Sequence, residues 1–290
     1  MERELWESLW RLMTILCNYL PRGRFGDDEI LAVYFWAVIH DRPVSWACDR
    51  AHWPRELMRH APPSQPTMSR RLRTASVEQL MASLESHLLA ISTIKLLWVK
   101  VIDAKALPVG GPSKDPDAQW GRGACSVQHG YKFHAVWGFG PLPIAWGLAP
   151  LNVSEQRLAK DLIADLPGEG YLLGDSQFDS NVLYDAAAKV GYQLVAARQR
   201  PGTGLGHRRH SPHRLRSMEL LRRPFGKALY QLRAHIEHYF AGLTTFVGGL
   251  GPLPFWVRRF NRVRMWVQAK LLLNAVRILR RTNPSLAASS

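Results

Sequence analysis

The sequence is poor in cysteine, in long apolar runs and in acidic residues. Its cysteines, Cys17, Cys48 and Cys125, are widely separated, with no CxxC pair and no histidine at zinc-finger spacing, so a reduced compartment is expected. No apolar run reaches the roughly 20 residues that a membrane-spanning helix needs, so no membrane partner is expected. The chain has only 23 Asp and Glu but 38 Lys and Arg, which gives a formal net charge of +15 at pH 7. A surface that basic attracts polyanions, and nucleic acid is the first candidate.

The chain is long enough for a full core. Its 290 residues are 47% hydrophobic, which predicts a folded protein of two domains. The opening stretch Glu2 to Leu20 is rich in Leu and Trp. However, Glu2, Glu4 and Glu7 stand where a secretory signal carries positive charge, so this stretch is predicted to be an amphipathic helix.

Residues 1–94 are predicted to form an all-helical domain. Asp27 and Asp28 precede apolar residues at helical spacing, which predicts a capped helix that ends at a turn before Pro43. Shorter helices are predicted at Ser45–His52 and Pro54–His60.

The last predicted helix of this domain is basic. It spans Pro66 to Arg73 and carries Arg70, Arg71 and Arg73. Short helices that end in a basic one are typical of helix-turn-helix modules, in which the last helix enters the major groove of DNA. The alternative is a helical bundle whose last helix faces solvent.

From Leu96 onward, short apolar strands replace the helical pattern. The predicted strands and helices, in chain order, are Leu97–Ile102, Tyr131–Trp137, Leu142–Leu148, a helix from Ser154 to Leu166, Gly170–Gly174, a helix from Ser176 to Val190, and Tyr192–Ala197. This order of elements predicts an α/β fold, a ribonuclease H-like mixed sheet flanked by helices. We place this domain at residues 95–281, with a basic loop at 198–226, and expect residues 282–290 to be a flexible tail.

Three carboxylates stand out by position. Asp103 ends the first predicted strand, and Asp175 directly follows the fourth. A helix predicted from Lys227 to Val247 carries Glu237 beside its apolar face. These three residues are the candidate catalytic and metal-binding groups.

Several segments together resemble the bacterial insertion-sequence transposases of the DDE type, whose transposase DDE domain is ribonuclease H-like. The resemblance covers roughly residues 27–281, and the motifs are individually weak but specific in their joint order. Matching segments are Val101–Ala104, Gly130–His134, Pro150–Glu155 and Gly174–Ser180.

The helix around Glu237 carries a further part of this resemblance. Tyr230, Arg233 and Glu237 match three positions of the family's Tyr, Arg, Glu, Lys signature. The lysine expected seven residues after the glutamate is replaced by Thr244, which removes one phosphate contact that Lys227 or the basic loop is available to supply. The resemblance implies that Tyr230 and Arg233 contact DNA.

The resemblance also implies the chemistry. Asp103, Asp175 and Glu237 would hold two Mg²⁺ ions, for which Mn²⁺ can substitute, and phosphoryl transfer would need no covalent enzyme intermediate. The expected reactions are cleavage at insertion-sequence ends and strand transfer into target DNA. Double-stranded DNA is the expected partner, a homodimer the expected DNA-bound form, and the bacterial cytoplasm, at the nucleoid, the expected location.

Other basic residues are candidates for contacts with DNA. Lys132 and His134 alternate along a strand and share a face, either beside the metal ions or as a surface pair. The basic loop, which includes Arg208 and Arg209, is predicted to close over a DNA backbone, the alternative being a solvated, disordered insert.

Two other functions fit the same residues. One is an inactive or domesticated relative that binds DNA as a regulator, and the other is a ribonuclease H-like nuclease that cuts without strand transfer. The presence of all three carboxylates argues against the first, and an assay of end joining separates the second.

Overall fold

The computed structural model describes residues 2–17, 24–58, 60–92, 98–123, 126–207, 209–246 and 249–282. They fall into two compact units. The helical unit holds the described residues within 1–92, 111–114 and 243–290, and the sheet unit holds those within 93–110 and 115–242. Among the described residues, no helix combines the length and the apolar character that crossing a bilayer requires.

The helical unit is built around one buried helix. Its helices are α1 (Glu2–Cys17), α2 (Asp27–Ile39), α3 (Val44–Ala47), α4 (Gln65–Arg71), α5 (Ala75–Ala90) and α11 (Phe260–Thr282), with a 3₁₀ turn at Arg50–His52. Every residue of α2 from Ile30 to Ile39 is buried, because α1, α5 and α11 pack around it.

The predicted helices of this unit are confirmed in part. The helix capped near Asp27 is α2, and the basic helix is α4. The helix predicted at Pro54–His60 is wrong, because Arg55–Leu57 forms a single turn closed by the Leu57 amide on the Pro54 carbonyl. The predicted domain boundaries stay a prediction; the compact units differ from them in grouping α11 with the N-terminal helices.

A buried cation joins α11 to the end of α2. The Lys270 ammonium is fully buried and donates to the Val38 carbonyl oxygen at 2.8 Å and to Asp41 Oδ1 at 2.6 Å. Burial lowers the pKa of Lys270, and the negative charge of Asp41 opposes that shift. Lys270 therefore depends on Asp41 to remain charged inside the core.

Asp41→Asn is expected to destabilise the protein by about 2 kcal/mol, because it leaves the buried ammonium of Lys270 without its counter-charge. The loss is kept to this size because the Asp41 side chain is half exposed, so solvent screens the pair. Asn tolerates the positive φ of 49° at this position, so the backbone is preserved. The matched control is Lys270→Met, which removes the buried positive charge as well as the ion pair. It should lower the free energy of unfolding by less than Asp41→Asn does. Urea denaturation measures both; equal losses would contradict this account.

The sheet unit contains a mixed sheet. Its strands, among the described residues, are β1 (Val99–Pro108), β2 (Gln119–Arg122), β3 (Val127–Trp137), β4 (Pro143–Pro150), β5 (Gly170–Gly174) and β6 (Tyr192–Ala196). The order is β2-β3-β1-β5-β6, with β4 also paired to β3. Strand β3 runs antiparallel to β1, β2 and β4, whereas β5 and β6 run parallel to β1.

Helices cover both faces of this sheet. They are α6 (Glu155–Ala164), α7 (Asn181–Lys189), α8 (Pro212–Arg222), α9 (Pro224–Gln231) and α10 (Ala234–Thr244), with a 3₁₀ turn at Ser176–Phe178. Ile102 and Val136 form one apolar core with α6 and α7. On the opposite face, the ring of Phe133 contacts Phe240 of α10 at a centroid distance of 6.1 Å. This arrangement confirms the predicted ribonuclease H-like fold.

Three local predictions in this unit are corrected. Strand β1 does not end at Asp103 but continues to Pro108, because its pairing with β3 extends to Gly130. The single helix predicted at Lys227–Val247 is two helices, with a break at residues 232–233. The basic loop predicted at 198–226 is helical from Pro212, where Ser211 caps α8 by accepting from the His213 amide.

Candidate active site on the sheet

Asp103 lies in the middle of β1, on the face that α10 covers. It pairs with Ala135 in the β1–β3 ladder, and its side chain is 18% exposed. Burial, together with the negative charges of Asp175 and Glu237, raises the pKa of Asp103 to about 6. The Ala104 amide, which donates to Asp103 Oδ1 at 2.8 Å, and the charge of Arg233 act in the opposite direction. Asp103 is thus a carboxyl group whose charge is poorly compensated by the protein.

Asp175 directly follows β5, the parallel neighbour of β1. The parallel register of β1 and β5 ends at Val101↔Leu173, two residues before Asp103 and Asp175. The two carboxyl groups are close enough for the charge of Asp175 to raise the pKa of Asp103. Burial raises the pKa of Asp175, and the charge of Glu155 adds to that shift. The carboxylate also caps the following turn, accepting from the Gln177 amide at 2.8 Å. Two adjacent, partly desolvated carboxyl groups therefore meet at this point of the sheet.

Tyr230 fixes helix α9 to the ends of the two parallel strands. Its hydroxyl donates to the Gly174 carbonyl oxygen at 3.0 Å and accepts from the Ala197 amide at 3.4 Å. The hydroxyl proton is therefore engaged beside Asp175 in this geometry, so Tyr230 holds the strand end. Its predicted contact with DNA stays a prediction.

Arg233 stands between two of the predicted metal ligands. Its guanidinium lies 2.9 Å from Glu237 Oε1 and 3.9 Å from Asp103 Oδ2. The Glu237 side chain is 63% exposed on the first turn of α10, whereas Arg233 is 23% exposed. Arg233 therefore supplies positive charge between Glu237 and Asp103.

The metal-ligand assignment stays a prediction. Across the described part of the chain, no three histidine, cysteine, aspartate or glutamate side chains are grouped closely enough to hold a metal ion. The charge of Asp175 acts on Asp103, and Arg233 lies between Glu237 and Asp103. The chemistry of this donor set fits Mg²⁺, which prefers carboxylate oxygens, but Glu237 must exchange Arg233 for the ion.

Lys132 and His134 share a face, as predicted, but that face is the opposite one from Asp103. They pair with Ala106 and Ala104 respectively, so the expected position beside the metal ions is wrong. Lys132 Nζ lies 2.5 Å from Glu155 Oε1. Burial lowers the pKa of His134 to about 4, so its ring is neutral at pH 7.

A polar cleft of about 360 Å³ opens beside this ion pair; its lining includes Lys132, Arg122, Asn152, Glu155 and Gln177. Lys132 therefore stays a candidate for a contact with DNA, although it lies on the face opposite Asp103. The face that each side chain takes depends on the register of β3, which the sequence alone does not set.

The predicted DNA-contacting arginines differ in their surroundings. Arg70 and Arg73 are exposed. Arg71 instead donates to Asp27 Oδ1 at 2.5 Å and to the Phe25 carbonyl at 3.0 Å, so it joins α4 to the start of α2. Arg209 is exposed, and Arg208 lies outside the described residues.

Asp179 is a functional candidate that the sequence did not identify. Its side chain is only 2% exposed. Arg214 Nε and Nη2 each lie 2.7 Å from its carboxylate, and these contacts lower the pKa of Asp179 against the effect of burial. The pairing joins residues 35 positions apart, so no local motif announces it.

Comparison with known proteins supplies the family. No curated protein matches this chain. Among solved structures, the crystal structure of the mariner Mos1 paired end complex with Mg matches with 15% identity over 92% of this chain and 80% of that chain; its TM-score of 0.26 is too low to bear on the fold. The model of the family described as "Transposase DDE domain" matches residues 95–273, well over half of the sequence. The protein therefore belongs to the transposase DDE domain family.

Proposed function

We propose that this protein is a DNA transposase that cleaves at the ends of an insertion sequence and transfers them into target DNA. The observation that carries the proposal is the parallel pairing of β1, which contains Asp103, with β5, which Asp175 directly follows, together with the coupling of the two carboxyl charges. Membership of the transposase DDE domain family supports the same chemistry.

Asp103, Asp175 and Glu237 are the residues that would hold the metal. Two Mg²⁺ ions, or Mn²⁺ in their place, would supply Lewis-acid stabilisation of the attacking and leaving oxygens of the phosphate. The raised pKa of Asp103 supports this role, because a divalent ion compensates the charge that burial disfavours.

The remaining residues of the site orient the groups that react. Tyr230 holds the end of β5, from which Asp175 projects. Arg233 carries a planar fork of donors, which suits a phosphate oxygen once the guanidinium leaves Glu237. In this proposal the three carboxylates hold the metal ions, and Arg233 contacts the DNA backbone.

The partner in this proposal is double-stranded DNA. The net charge of +15 supports it, since neutralised phosphates release counterions and make binding favourable. We further propose that the protein acts as a homodimer on DNA, at the bacterial nucleoid in the cytoplasm.

The test is incubation of the protein and Mg²⁺ with DNA that carries the gene's own flanking sequences and a target plasmid. Joining of a DNA end to the plasmid, lost in Glu237→Gln, is the expected result. Nicking without joining would replace the transposase by a nuclease. Salt-dependent binding to DNA without cleavage would indicate a DNA-binding regulator instead of a transposase. The absence of any binding would contradict the proposal that DNA is the partner.

A further inference from the structure

The basic segment, defined as residues 198–207 and 209–223, is held to the rest of the sheet unit in part by one buried carboxylate, Asp179. Asp179 accepts from Arg214 through both oxygens at 2.7 Å, and from the Gln199 amide at 3.1 Å. Its side chain is 2% exposed and that of Arg214 is 16% exposed. This is a desolvated, bidentate ion pair, which is far more restrictive than a surface pair.

A second set of hydrogen bonds repeats this attachment from α7. The Asn181 side chain donates to the Arg209 carbonyl at 3.1 Å and accepts from the Ser211 amide at 3.1 Å. Ser211 Oγ donates to Asp185 Oδ1 at 2.5 Å. These contacts attach the segment at 199, 209, 211 and 214 to residues between 179 and 185. Helix α8 is also attached to β6, where Gln193 Nε2 donates to the His213 carbonyl at 2.9 Å.

The place of attachment is next to the candidate active site. One 3₁₀ turn, Ser176–Phe178, separates Asp179 from Asp175. At about 2 Å of rise per residue, the two lie within roughly 10 Å along the chain. Only Arg214 is used by the ion pair, and the segment keeps exposed arginines at 200, 209, 216, 222 and 223.

We propose that Asp179 is a positioning residue that holds the basic segment beside Asp175, so that its exposed arginines contact the phosphates flanking the bond to be cut. This inference rests on the proposed function. Asp179 does not touch the reacting atoms; it sets where the cations lie. It therefore governs the affinity for DNA more than the rate of cleavage on saturating DNA.

The direction in which Asp179→Asn changes the affinity for DNA distinguishes a positioning role from a simple effect of charge. Asp179→Asn removes a negative charge and releases Arg214, so charge alone predicts tighter binding to DNA. Loss of positioning predicts weaker binding. The matched control is Glu219→Gln, which also removes one negative charge, this time within the segment, but breaks only an exposed pair with Arg223.

The experiment measures binding of a linear duplex, carrying the gene's flanking DNA, over a series of salt concentrations without Mg²⁺. Asp179→Asn should weaken binding about 10-fold and reduce the slope of log K against log salt by about 1. In the cleavage reaction, the apparent KM should rise far more than kcat falls. Glu219→Gln should bind as tightly as the unaltered protein or slightly more tightly, and protease cleavage within residues 198–209 should accelerate only in Asp179→Asn.

If Asp179→Asn does not fold, Asn181→Ala provides a second test of the same proposal. Asn181 lies near the surface, and its replacement removes only two hydrogen bonds to the segment. It should weaken binding about 3-fold. Binding as tight as or tighter than the unaltered protein, in a folded variant, would overturn the positioning role while the proposed function stands. If the unaltered protein itself neither binds nor cuts the duplex, the proposed function fails instead.

Discussion

Replacing Asp103 with asparagine is expected to stabilise the metal-free protein near neutral pH and to abolish DNA cleavage. The Asp103 carboxyl is 18% exposed, and burial together with the charges of Asp175 and Glu237 raises its pKa from 3.8 to about 6. A shift of that size corresponds to up to about 3 kcal/mol of unfavourable free energy once the group is ionised. Asparagine has nearly the same shape and carries no charge, so it removes this cost.

The pH dependence follows from the direction of the shift. A group whose pKa is raised on folding contributes stability that is fully present below its unfolded value, here 3.8, and is lost as the pH rises through its folded value, here about 6. The advantage of Asp103→Asn should therefore be small near pH 4, grow up to about pH 6 and stay constant above it.

Urea denaturation in EDTA, repeated across this pH range, measures the effect. Asp161→Asn on the exposed surface of α6 is the matched control, and it should change stability by less than about 0.5 kcal/mol. Adding Mg²⁺ should stabilise the unaltered protein and not the Asp103→Asn variant. A variant that is less stable than the unaltered protein at neutral pH would show that the Asp103 carboxylate is well satisfied without a metal ion.

The backbone positions of the two sheet carboxylates could be predicted from local sequence. Strand β5 spans Gly170–Gly174 as predicted, because a short apolar run bounded by glycines has few other conformations, and Asp175 follows it directly. Asp103 was placed correctly on β1 even though the strand continues beyond it. Ala104 to Ala106 lack the β-branched residues that announce a strand, and only pairing with β3 extends it.

Side-chain environments were the part that local sequence could not supply. The face of Lys132 depends on the register between β1 and β3, and a shift of one residue would reverse it. Arg71 and Asp179 are paired with residues 44 and 35 positions away, so their burial follows from tertiary packing. Helix α8 begins with a capping serine, Ser211, and with Pro212, which are local signals of a helix start. The many arginines around them favoured the prediction of a loop instead.

Arg233 is expected to oppose metal binding and yet to be needed for cleavage. Its guanidinium contacts Glu237 at 2.9 Å and lies 3.9 Å from Asp103, so it competes with a divalent ion for the same oxygens. Its charge also lowers the pKa of Asp103. Arg233→Gln should therefore bind Mg²⁺ about 10-fold more tightly above pH 7, because the competing charge is gone.

Cleavage by Arg233→Gln should nevertheless fall roughly 10²- to 10³-fold, since a donor to the phosphate is lost where charge develops. Arg233→Lys separates the two effects: it keeps the charge, so its affinity for Mg²⁺ should stay near that of the unaltered protein, but it lacks the fork, so cleavage should still fall. Metal-dependent thermal shifts and single-turnover cleavage measure the two quantities. Unchanged affinity for Mg²⁺ in Arg233→Gln would mean that Glu237 and Asp103 do not meet on one ion, and the three-carboxylate site would have to be reassigned.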